Sequence, residues 1–224
     1  MKYGDIHTGI FLSRPNRFIA HVEIDGADEI CHVKNTGRCR ELLIPGCRVF
    51  CEKSSNPNRK TKYDLIAVTK GDRLINMDSQ APNKAAGEAA DRLFDGVVSV
   101  RPEYAYGSSR IDFYIETKSE RILMEVKGVT LEEDGVVMFP DAPTERGIKH
   151  LKELSAAAAD GYRACILFVI QMNGVRYFTP NRRTHPQFAE ALKQAAQSGV
   201  EILAYDTVVT ENSMEINKAV EVRL

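Results

Sequence analysis

"SSRIDFYIETKSERILMEVKGV", residues 108–129, contains two apolar runs that a short polar turn joins. Asp112, Glu125 and Lys127 interrupt the apolar pattern of these runs. Successive side chains of a strand point to opposite faces, so Glu125 and Lys127 share one face of their strand. We therefore predict a β-hairpin that carries two acids and one amine.

The turn of this hairpin sets which side chains oppose each other. If Lys118 and Ser119 form a two-residue turn, Asp112 lies opposite Glu125, with Lys127 further along the same face. Opposed residues have Cβ atoms about 4.5–5.5 Å apart, so the two carboxylates repel unless a proton or a cation intervenes. Oxygen ligands of this kind suit Mg²⁺ or Mn²⁺. The alternative is a solvated salt-bridging face, and one extra turn residue would reverse the parity.

The chain around the hairpin predicts an α/β domain over residues 82–224. Its predicted elements are a helix at 82–94, strands at 96–104, 109–116 and 121–129, a helix within 140–161, a strand at 162–171, a helix at 185–199 and a strand at 200–205. Asp141 is the expected cap of the second helix and Gly161 its expected end. The continuous apolar run at 162–171 is typical of a buried central strand, so the sheet is expected to be mixed.

Residues 1–81 predict a small all-β domain, because short apolar runs alternate with turn residues. The runs at 17–24 and 29–34 flank "DGAD", where Gly26 supplies a positive φ. Further strands are expected at 47–54 and 63–69, with one short helix within 38–46. The chain is thus expected to divide between residues 81 and 82.

An Asp on one strand and Glu-x-Lys on the next, within this element order, resemble the restriction-endonuclease-like PD-(D/E)xK nuclease superfamily. More closely, the whole chain resembles the sugar fermentation stimulation protein A family. The matching stretches are "NTG" at 35–37, "SRIDF" at 109–113, "MEVKGVTL" at 124–131, "FPDAPTERGIKHLKEL" at 139–154 and "GYRACILFVIQ" at 161–171. The resemblance implies an N-terminal OB-like β-barrel and a C-terminal restriction-endonuclease-like α/β domain. It also implies DNA binding with little sequence preference and a link to the regulation of sugar (maltose) metabolism.

The resemblance also implies roles for individual residues. Asp112 and Glu125 match the metal-binding acids, the backbone carbonyl of Val126 is a further metal ligand, and Lys127 matches the catalytic lysine. Glu88, on the helix before the strands, is the candidate for an additional metal-binding acid. The implied cofactor is Mg²⁺ or Mn²⁺. The proline of the motif is absent, because an isoleucine precedes Asp112.

A basic segment at residues 34–62 carries eight Lys or Arg residues and two Glu residues, which gives a local charge of +6. Such a patch on a barrel would contact a phosphate backbone, with Phe50 or Tyr63 available to stack on bases. The candidate nucleic-acid contacts in the segment are Lys34, Arg38, Arg40, Arg59, Lys60 and Lys62. Arg146 and Lys149 are candidates on the helix beside the acids, where His150 is expected at the surface. The alternative is a set of ordinary surface charges.

Composition limits the remaining classes of protein. The 224 residues are 43% hydrophobic and carry a net charge of −1, so any basic surface must be local. No apolar run of about 18 residues predicts a membrane span, and no secretory signal precedes the first strands, so a cytoplasmic location is expected. The five cysteines form no CxxC pair, which favours reduced thiols over a zinc site.

These observations predict a DNA-binding protein whose metal-dependent nuclease-like domain hydrolyses phosphodiester bonds. In this prediction Asp112 and Glu125 hold the ion, a water attacks phosphorus, and Lys127 assists. One alternative is a non-enzymatic DNA-binding regulator of sugar metabolism that retains the nuclease fold. Another is a protein-interaction module without a nucleic-acid role. The strandedness of the DNA is open, and a homo-oligomer is compatible with the sequence.

Overall fold

Short strands make up the first third of the chain in the computed structural model, which describes residues 1–35 and 37–224. These strands are β1 (Ile6–Ser13), β2 (Ile19–Ile24), β3 (Ala27–Val33), β4 (Arg48–Lys53), β5 (Tyr63–Lys70) and β6 (Arg73–Asn76). β1 pairs with β2 and β4, β2 pairs with β3, and β5 pairs with β3 and β4. The first five strands therefore close a barrel, and β6 extends β5 as a hairpin.

The β2–β3 hairpin shows how the sequence builds this barrel. Asp25 and Gly26 form its two-residue loop, with φ angles of 53° and 79°. Positive φ at both loop positions matches the twist of the flanking strands, and Asp-Gly tolerates it. Along β2, Ala20 and Val22 are buried whereas Glu23 is exposed, as expected of a strand with one inward face. The predicted hairpin and the positive φ at Gly26 are confirmed.

The connection between β3 and β4 differs from the prediction. The short helix expected within residues 38–46 is wrong, because this segment forms successive turns. Cys39 has a φ of 46°, outside the helical region, and the Pro45-Gly46 pair forms a further turn with φ of 90° at the glycine. Thr36, within the "NTG" stretch, lies outside the described residues.

The remainder of the chain forms a mixed sheet with helices on both faces. Its elements are α1 (Ala81–Glu88), α2 (Ala90–Leu93), β7 (Val97–Tyr106), β8 (Ser109–Thr117), β9 (Arg121–Val129), β10 (Leu131–Glu133), β11 (Val136–Phe139), α3 (Glu145–Ala159), β12 (Arg163–Ile170), β13 (Tyr177–Pro180), α4 (Pro186–Gln197), β14 (Glu201–Thr210) and β15 (Ser213–Ala219). The order of this six-stranded sheet is β15-β14-β12-β9-β8-β7, and β12 runs parallel to both β9 and β14. A separate three-stranded sheet has the order β10-β11-β13. The alanines of α1 pack on one face of the sheet, whereas α3 and α4 pack on the other. The predicted α/β architecture with a buried central strand is confirmed.

Several element boundaries differ from the sequence prediction. The single helix expected at 82–94 is interrupted at Ala89, whose φ of −99° and ψ of 2° separate α1 from α2. Thr144 caps α3 instead of Asp141, because the Thr144 hydroxyl accepts a hydrogen bond from the Gly147 amide at 3.0 Å. Gly161 follows the end of α3 with a φ of 82°, as expected. Strands β10, β11, β13 and β15 were not expected.

The outer strand β7 has an irregular backbone near its middle. Pro102, which has no amide hydrogen, pairs with Phe113 of β8, and the next residue, Glu103, has a φ of 51°. The sheet order ends at this strand. Proline and a left-handed residue therefore lie side by side on the outermost strand.

Polar contacts join the barrel to the second domain. Glu132 of β10 accepts hydrogen bonds from Lys70 at 2.8 Å and lies 2.5 Å from the Arg73 guanidinium. The buried Gln171 amide donates to the Asn76 side chain at 3.0 Å. Ionic and amide contacts thus fix the β5–β6 hairpin against β10 and against the end of β12. Within the described ranges, no helix has both the length and the apolar character needed to cross a membrane.

Candidate active site

The β8–β9 hairpin has the predicted register. Phe113 pairs with Met124 and Ile115 pairs with Ile122, which confirms the two-residue turn at 118–119. Phe113 is the last residue of β8 that pairs with β9, and Asp112, which precedes it in the chain, lies just beyond the paired residues. The Asp112 carboxylate instead accepts a hydrogen bond from the Val126 amide at 2.8 Å. The acid of β8 is therefore held against the backbone of β9, next to Glu125.

Asp112 is half-buried between this backbone and α1. The Asn83 side chain of α1 donates to its other oxygen at 2.9 Å. Burial and the negative charge of Glu125 raise the pKa of Asp112 above its ordinary value, although the two hydrogen bonds and Lys127 oppose the shift. The influence of Glu125 on this pKa indicates that the two carboxylates repel each other.

Glu125 is buried, with an exposed fraction of only 1%. Its Oε1 atom accepts a hydrogen bond from the Lys127 ammonium at 2.6 Å and another from Nδ1 of His150. Burial alone raises the pKa of Glu125, but the His150 and Lys127 contacts outweigh it, and the pKa is lowered. Its Oε2 atom is buried and has no hydrogen-bond partner among the residues that the structure describes. One oxygen of this carboxylate is thus fully occupied and the other is unpartnered.

His150 of α3 was expected at the surface, and that expectation is wrong because the ring is 4% exposed. Its Nε2 atom accepts a hydrogen bond from Nε of Arg146 at 3.2 Å. A ring whose Nε2 accepts carries its proton on Nδ1, so the histidine donates to Glu125. Arg146 and His150 are four residues apart, so they are neighbours on one face of the helix. This spacing was the feature of the sequence that could have predicted their contact.

The groups around Asp112 and Glu125 are of the chemical type that binds a hard divalent cation. The unpartnered Glu125 oxygen, the Asp112 carboxylate and the Val126 carbonyl are all oxygen donors on neighbouring residues of one hairpin. Across the described chain, however, no three His, Cys, Asp or Glu side chains gather closely enough to enclose a metal ion. The Asp112 partner Asn83 belongs to α1, whereas the Glu125 partner His150 belongs to α3 on the other face of the sheet. That the two acids share one ion stays a prediction.

Glu88 is the candidate for a further acidic ligand. It lies in the same cleft as Asp112, which has a volume of about 420 Å³. Its carboxylate is exposed and lies 2.6 Å from the amino group of Met1. The charge of Glu88 is therefore balanced by an ammonium group in this structure.

The barrel candidates for nucleic-acid contacts fall into two groups. Lys34 pairs with Asp78 at 3.1 Å, and Arg59 makes a two-pronged contact with Asp64 at 2.6 and 2.8 Å. Lys62 is exposed but pairs with Glu29 at 2.8 Å. The charges of these three residues are thus largely neutralised within the barrel. Arg38, Arg40 and Lys60 are exposed, and none of them forms an ion pair within the described chain.

Arg38 and Arg40 line a concave surface of about 670 Å³ on the barrel, which we call the arginine pocket. Arg14 and Arg17, from the β1–β2 connection, complete a set of four arginines around it. No described carboxylate lines this pocket. Arg14 and Arg17 precede the basic segment in the chain, so the sequence analysis missed them.

The aromatic residues expected to stack on bases are buried. Phe50 is 2% exposed and Tyr63 is 3% exposed, so the stacking expectation is wrong for both. Arg146 and Lys149, the candidates on α3, are exposed in its first two turns. Arg146 also supports His150, and Lys149 lies 3.7 Å from Glu153.

The cysteines lie largely in the barrel interior. The Sγ atoms of Cys31 and Cys51 are 3.9 Å apart, and both side chains are fully buried. All five thiols are free. Burial raises the pKa of Cys39 to about 12, which keeps this thiol protonated at neutral pH.

Comparisons with known proteins cover both halves of the chain. Residues 80–213 match a family model described as the sugar fermentation stimulation protein RE domain, and residues 12–77 match one described as the SfsA N-terminal OB domain. A sugar fermentation stimulation protein homolog from Ruminiclostridium cellulolyticum is 62% identical, with 100% of each chain covered. A homolog from Clostridium beijerinckii is 56% identical over the same shares. The solved structure of Pyrococcus furiosus SfsA in complex with Ca²⁺ is 32% identical, has a TM-score of 0.90, and is matched over 100% of this chain and 98% of that one.

Proposed function

The chain belongs to the sugar fermentation stimulation protein family, with an OB domain before a restriction-endonuclease-like domain, and on this premise we propose that it is a metal-dependent nuclease that binds DNA. The observation that carries the proposal is the buried Glu125 Oε2 atom without a hydrogen-bond partner among the described residues. An unpaired carboxylate oxygen in the interior is costly unless a cation balances it. Asp112, beside it, supplies the second carboxylate.

Asp112, Glu125 and the Val126 carbonyl would hold Mg²⁺ or Mn²⁺. When bound, such an ion stabilises negative charge on a phosphodiester and lowers the pKa of water. The Lys127 ammonium, 2.6 Å from Glu125, would orient the attacking water or balance charge on the phosphate. His150 holds Glu125 Oε1, which leaves Oε2 for the ion. Glu88 joins the set only if it releases the Met1 amino group.

Divalent-cation chemistry also has support from a relative. The Pyrococcus furiosus structure is a complex with Ca²⁺, a cation that takes oxygen ligands as Mg²⁺ does. The proposal transfers only this preference for hard divalent cations to the present chain. Cleavage assays in Mg²⁺ and in Mn²⁺ decide which cation supports the reaction.

We assign DNA binding to both domains, divided near residues 81 and 82. The exposed Arg38, Arg40 and Lys60 of the barrel, with Arg146 and Lys149 of α3, supply positive charge for phosphates. Contacts from flexible cations to phosphates carry no sequence information, so little sequence preference follows. DNA is therefore the proposed partner.

One observation favours a second candidate function, a DNA-binding regulator of sugar (maltose) metabolism without catalysis. No cluster of three ligating side chains occurs in the described part of the chain, and Glu88 is paired with an amino group. A site with only two carboxylates binds Mg²⁺ weakly in the absence of substrate phosphates. In this alternative the hairpin acids have a structural role only.

The test is a nuclease assay with labelled DNA in Mg²⁺, in Mn²⁺ and in EDTA. We expect cleavage only with a divalent ion and at least about 100-fold slower cleavage by Lys127→Ala, which loses the ammonium beside the phosphate. Lys193→Ala removes an exposed cation from α4 and is the matched control. DNA binding without cleavage under every condition would favour the regulator. Unchanged cleavage by Lys127→Ala would contradict the assigned site.

A further inference from the structure

The arginine pocket has an internal framework that leaves most of its cations free. The Arg14 guanidinium donates hydrogen bonds of 2.7–2.9 Å to four backbone carbonyls. These carbonyls belong to Arg17, Asn35, Gly37 and Arg38. Arg14 therefore fixes the β1–β2 connection against the β3–β4 connection. Arg17, Arg38 and Arg40 have no carboxylate partner in the described ranges, so their charges are available to a ligand.

Apolar side chains lie among these cations. Leu12, Leu43 and Pro45 line the pocket, and Leu12 is 37% exposed. Phe18 directly follows Arg17 and is 55% exposed, and Ile44 is 56% exposed. Leu12 thus lines the pocket as an exposed apolar side chain, and Phe18 and Ile44 each directly follow a lining residue in the chain. A simple phosphate ligand would use only the cations.

Arginine next to exposed apolar groups is a combination that recognises unpaired nucleotides. Guanidinium planes and aromatic rings stack on base faces, while further cations contact the backbone phosphates. In a blunt duplex the base faces are stacked on one another and are inaccessible. A concave pocket of about 670 Å³ also suits a nucleotide better than the convex side of a duplex.

A second cleft shares one lining residue with the arginine pocket. Gly37 lines the arginine pocket and also a second cleft of about 340 Å³ between the two domains. This cleft extends to Gly128 and Thr144. Gly128 follows Lys127 in β9, and Thr144 caps α3, which carries Arg146. Asp141 is the acidic residue of this cleft, which is otherwise lined by neutral groups.

We propose that the arginine pocket binds an unpaired segment of a DNA strand and leads that strand through the interdomain cleft to Lys127. The preferred substrate is then single-stranded DNA or a duplex with a single-stranded tail or flap, rather than a blunt duplex. This inference rests on the proposed function, because it names the substrate of the same site.

The test measures equilibrium binding by fluorescence anisotropy in EDTA, where metal-dependent cleavage does not interfere. The probes are labelled oligodeoxythymidine, a blunt DNA duplex, the same duplex with a single-stranded tail, and an RNA strand of matching length. The variants are Arg38→Ala/Arg40→Ala and the control Lys193→Ala/Lys218→Ala, which removes two exposed cations outside the pocket. Thermal melting verifies that each variant is folded.

We expect tighter binding to the single-stranded and tailed probes than to the blunt duplex. Arg38→Ala/Arg40→Ala is expected to weaken binding to those probes about tenfold or more. The slope of log K against log salt should fall by about 0.7 for each phosphate that the variant no longer neutralises. Arg38→Lys/Arg40→Lys should keep the slope of the unmodified protein but bind more weakly, because lysine has no plane to stack on a base. The control should match the unmodified protein.

Equal affinity for the blunt and tailed duplexes would overturn the inference, as would unchanged binding by Arg38→Ala/Arg40→Ala. Tighter binding to the RNA strand would overturn the assignment to DNA. The two proposals fail separately. Pocket-dependent binding without cleavage in any metal would overturn the nuclease and support the arginine pocket. Cleavage that is indifferent to tails and to both arginines would overturn the pocket and leave the nuclease.

Discussion

The two oxygens of Glu125 occupy different environments. Oε1 is held by Lys127 and His150, whereas Oε2 is buried without a partner in the described chain. A carboxylate with both oxygens hydrogen-bonded would have little capacity left for a cation. The position of His150 therefore determines how Glu125 is presented, although the histidine lies on a different element.

His150→Ala removes the hydrogen bond that orients Glu125. We expect affinity for Mn²⁺ to fall about 10–100-fold, as is typical when a group that hydrogen-bonds a metal ligand is removed. His150→Asn, whose amide N–H lies near the position of Nδ1, should restore part of the affinity. Calorimetric titration with Mn²⁺ measures this without an activity assay. Equal affinities for all three proteins would show that His150 has no role in presenting Glu125.

Asp112→Asn tests the repulsion between the two acids. Because the pKa of Asp112 is raised, its ionised form costs folding free energy above that pKa, and the cost disappears when the pH falls below the ordinary value of 3.8. Asparagine removes the charge but places its NH₂ group against the donor of Val126 or Asn83, so the informative quantity is the pH dependence in EDTA. The melting temperature of the unmodified protein should rise relative to that of the variant as the pH falls from neutral to below 3.8, and Mn²⁺ should stabilise only the unmodified protein. A difference between the two melting temperatures that does not change with pH would contradict the repulsion.

For single residues, the sequence predicts those positions that depend only on neighbouring residues of the same hairpin. The register of β8 against β9 follows from alternation and a two-residue turn, and both are local properties. Asp112 lies beyond the paired residues, and its hydrogen bonds to Val126 and Asn83 have no signal in that pattern. The burial of His150 and the position of Arg14 depend on interactions between distant segments. Nothing in the local pattern distinguishes such residues from surface ones.

Helix α3 places Arg146 and His150 beside the hairpin, and its first turn depends on Thr144. Thr144→Ala removes the hydroxyl that accepts from Gly147, so we expect a decrease of about 1 kcal/mol in the free energy of unfolding. Thr144→Ser keeps the hydroxyl and is the matched control. Denaturant unfolding measures both changes. A decrease in the serine variant as large as in alanine would assign the effect to the missing methyl group, which packs near Gly147.

Elements with a strong periodic pattern were predicted well, and those without one were not. β8, β9 and β12 have long apolar or alternating runs, and their positions are confirmed. β10 has only three residues, so its pattern is too short to distinguish a strand from a turn. The interruption at Ala89 had no signal, because alanine favours a continuous helix and tertiary packing overrides that preference here.

The joined domains depend on Glu132, which contacts Lys70 and Arg73 across the interface. Burial raises the pKa of Glu132, but the hydrogen bonds from Lys70, the Gly135 amide and Arg73 and the charge of Lys70 outweigh it and lower the pKa. The stabilisation is thus present above the ordinary value of 4.5 and is lost as the pH falls from there through the lowered pKa. The interface should loosen in acid.

Glu132→Gln should reduce the free energy of unfolding by about 1–2 kcal/mol at pH 7, since both cations remain partly hydrated. The difference from the unmodified protein should shrink as the pH falls below 4.5, because Glu132 of the unfolded chain takes up a proton there before Glu132 of the folded protein does. Glu133→Gln is the matched control, because its pair with Arg183 is exposed and should contribute under about 0.5 kcal/mol. Denaturant melts over a pH series measure both variants. A constant difference at all pH values would contradict this account.

The sequence predicts the two successive domains but not the contacts through which they pack against each other. Composition and periodicity separate the β-rich part from the α/β part, whereas the contacts between Glu132 and Arg73 or Gln171 and Asn76 have no counterpart in either pattern. The boundary at residues 81 and 82 stays a prediction. That Gly37 lines both clefts follows only from the arrangement of both domains.

The middle of β7 has a consequence for crowded solutions. A strand from another molecule can add to a sheet only where a regular row of amides faces outward. Pro102 has no amide to offer, and the reversed backbone twist at Glu103 disturbs the row beside it. Two adjacent residues thus protect this border of the sheet from fibril-like growth, and replacing them with valine would remove that protection.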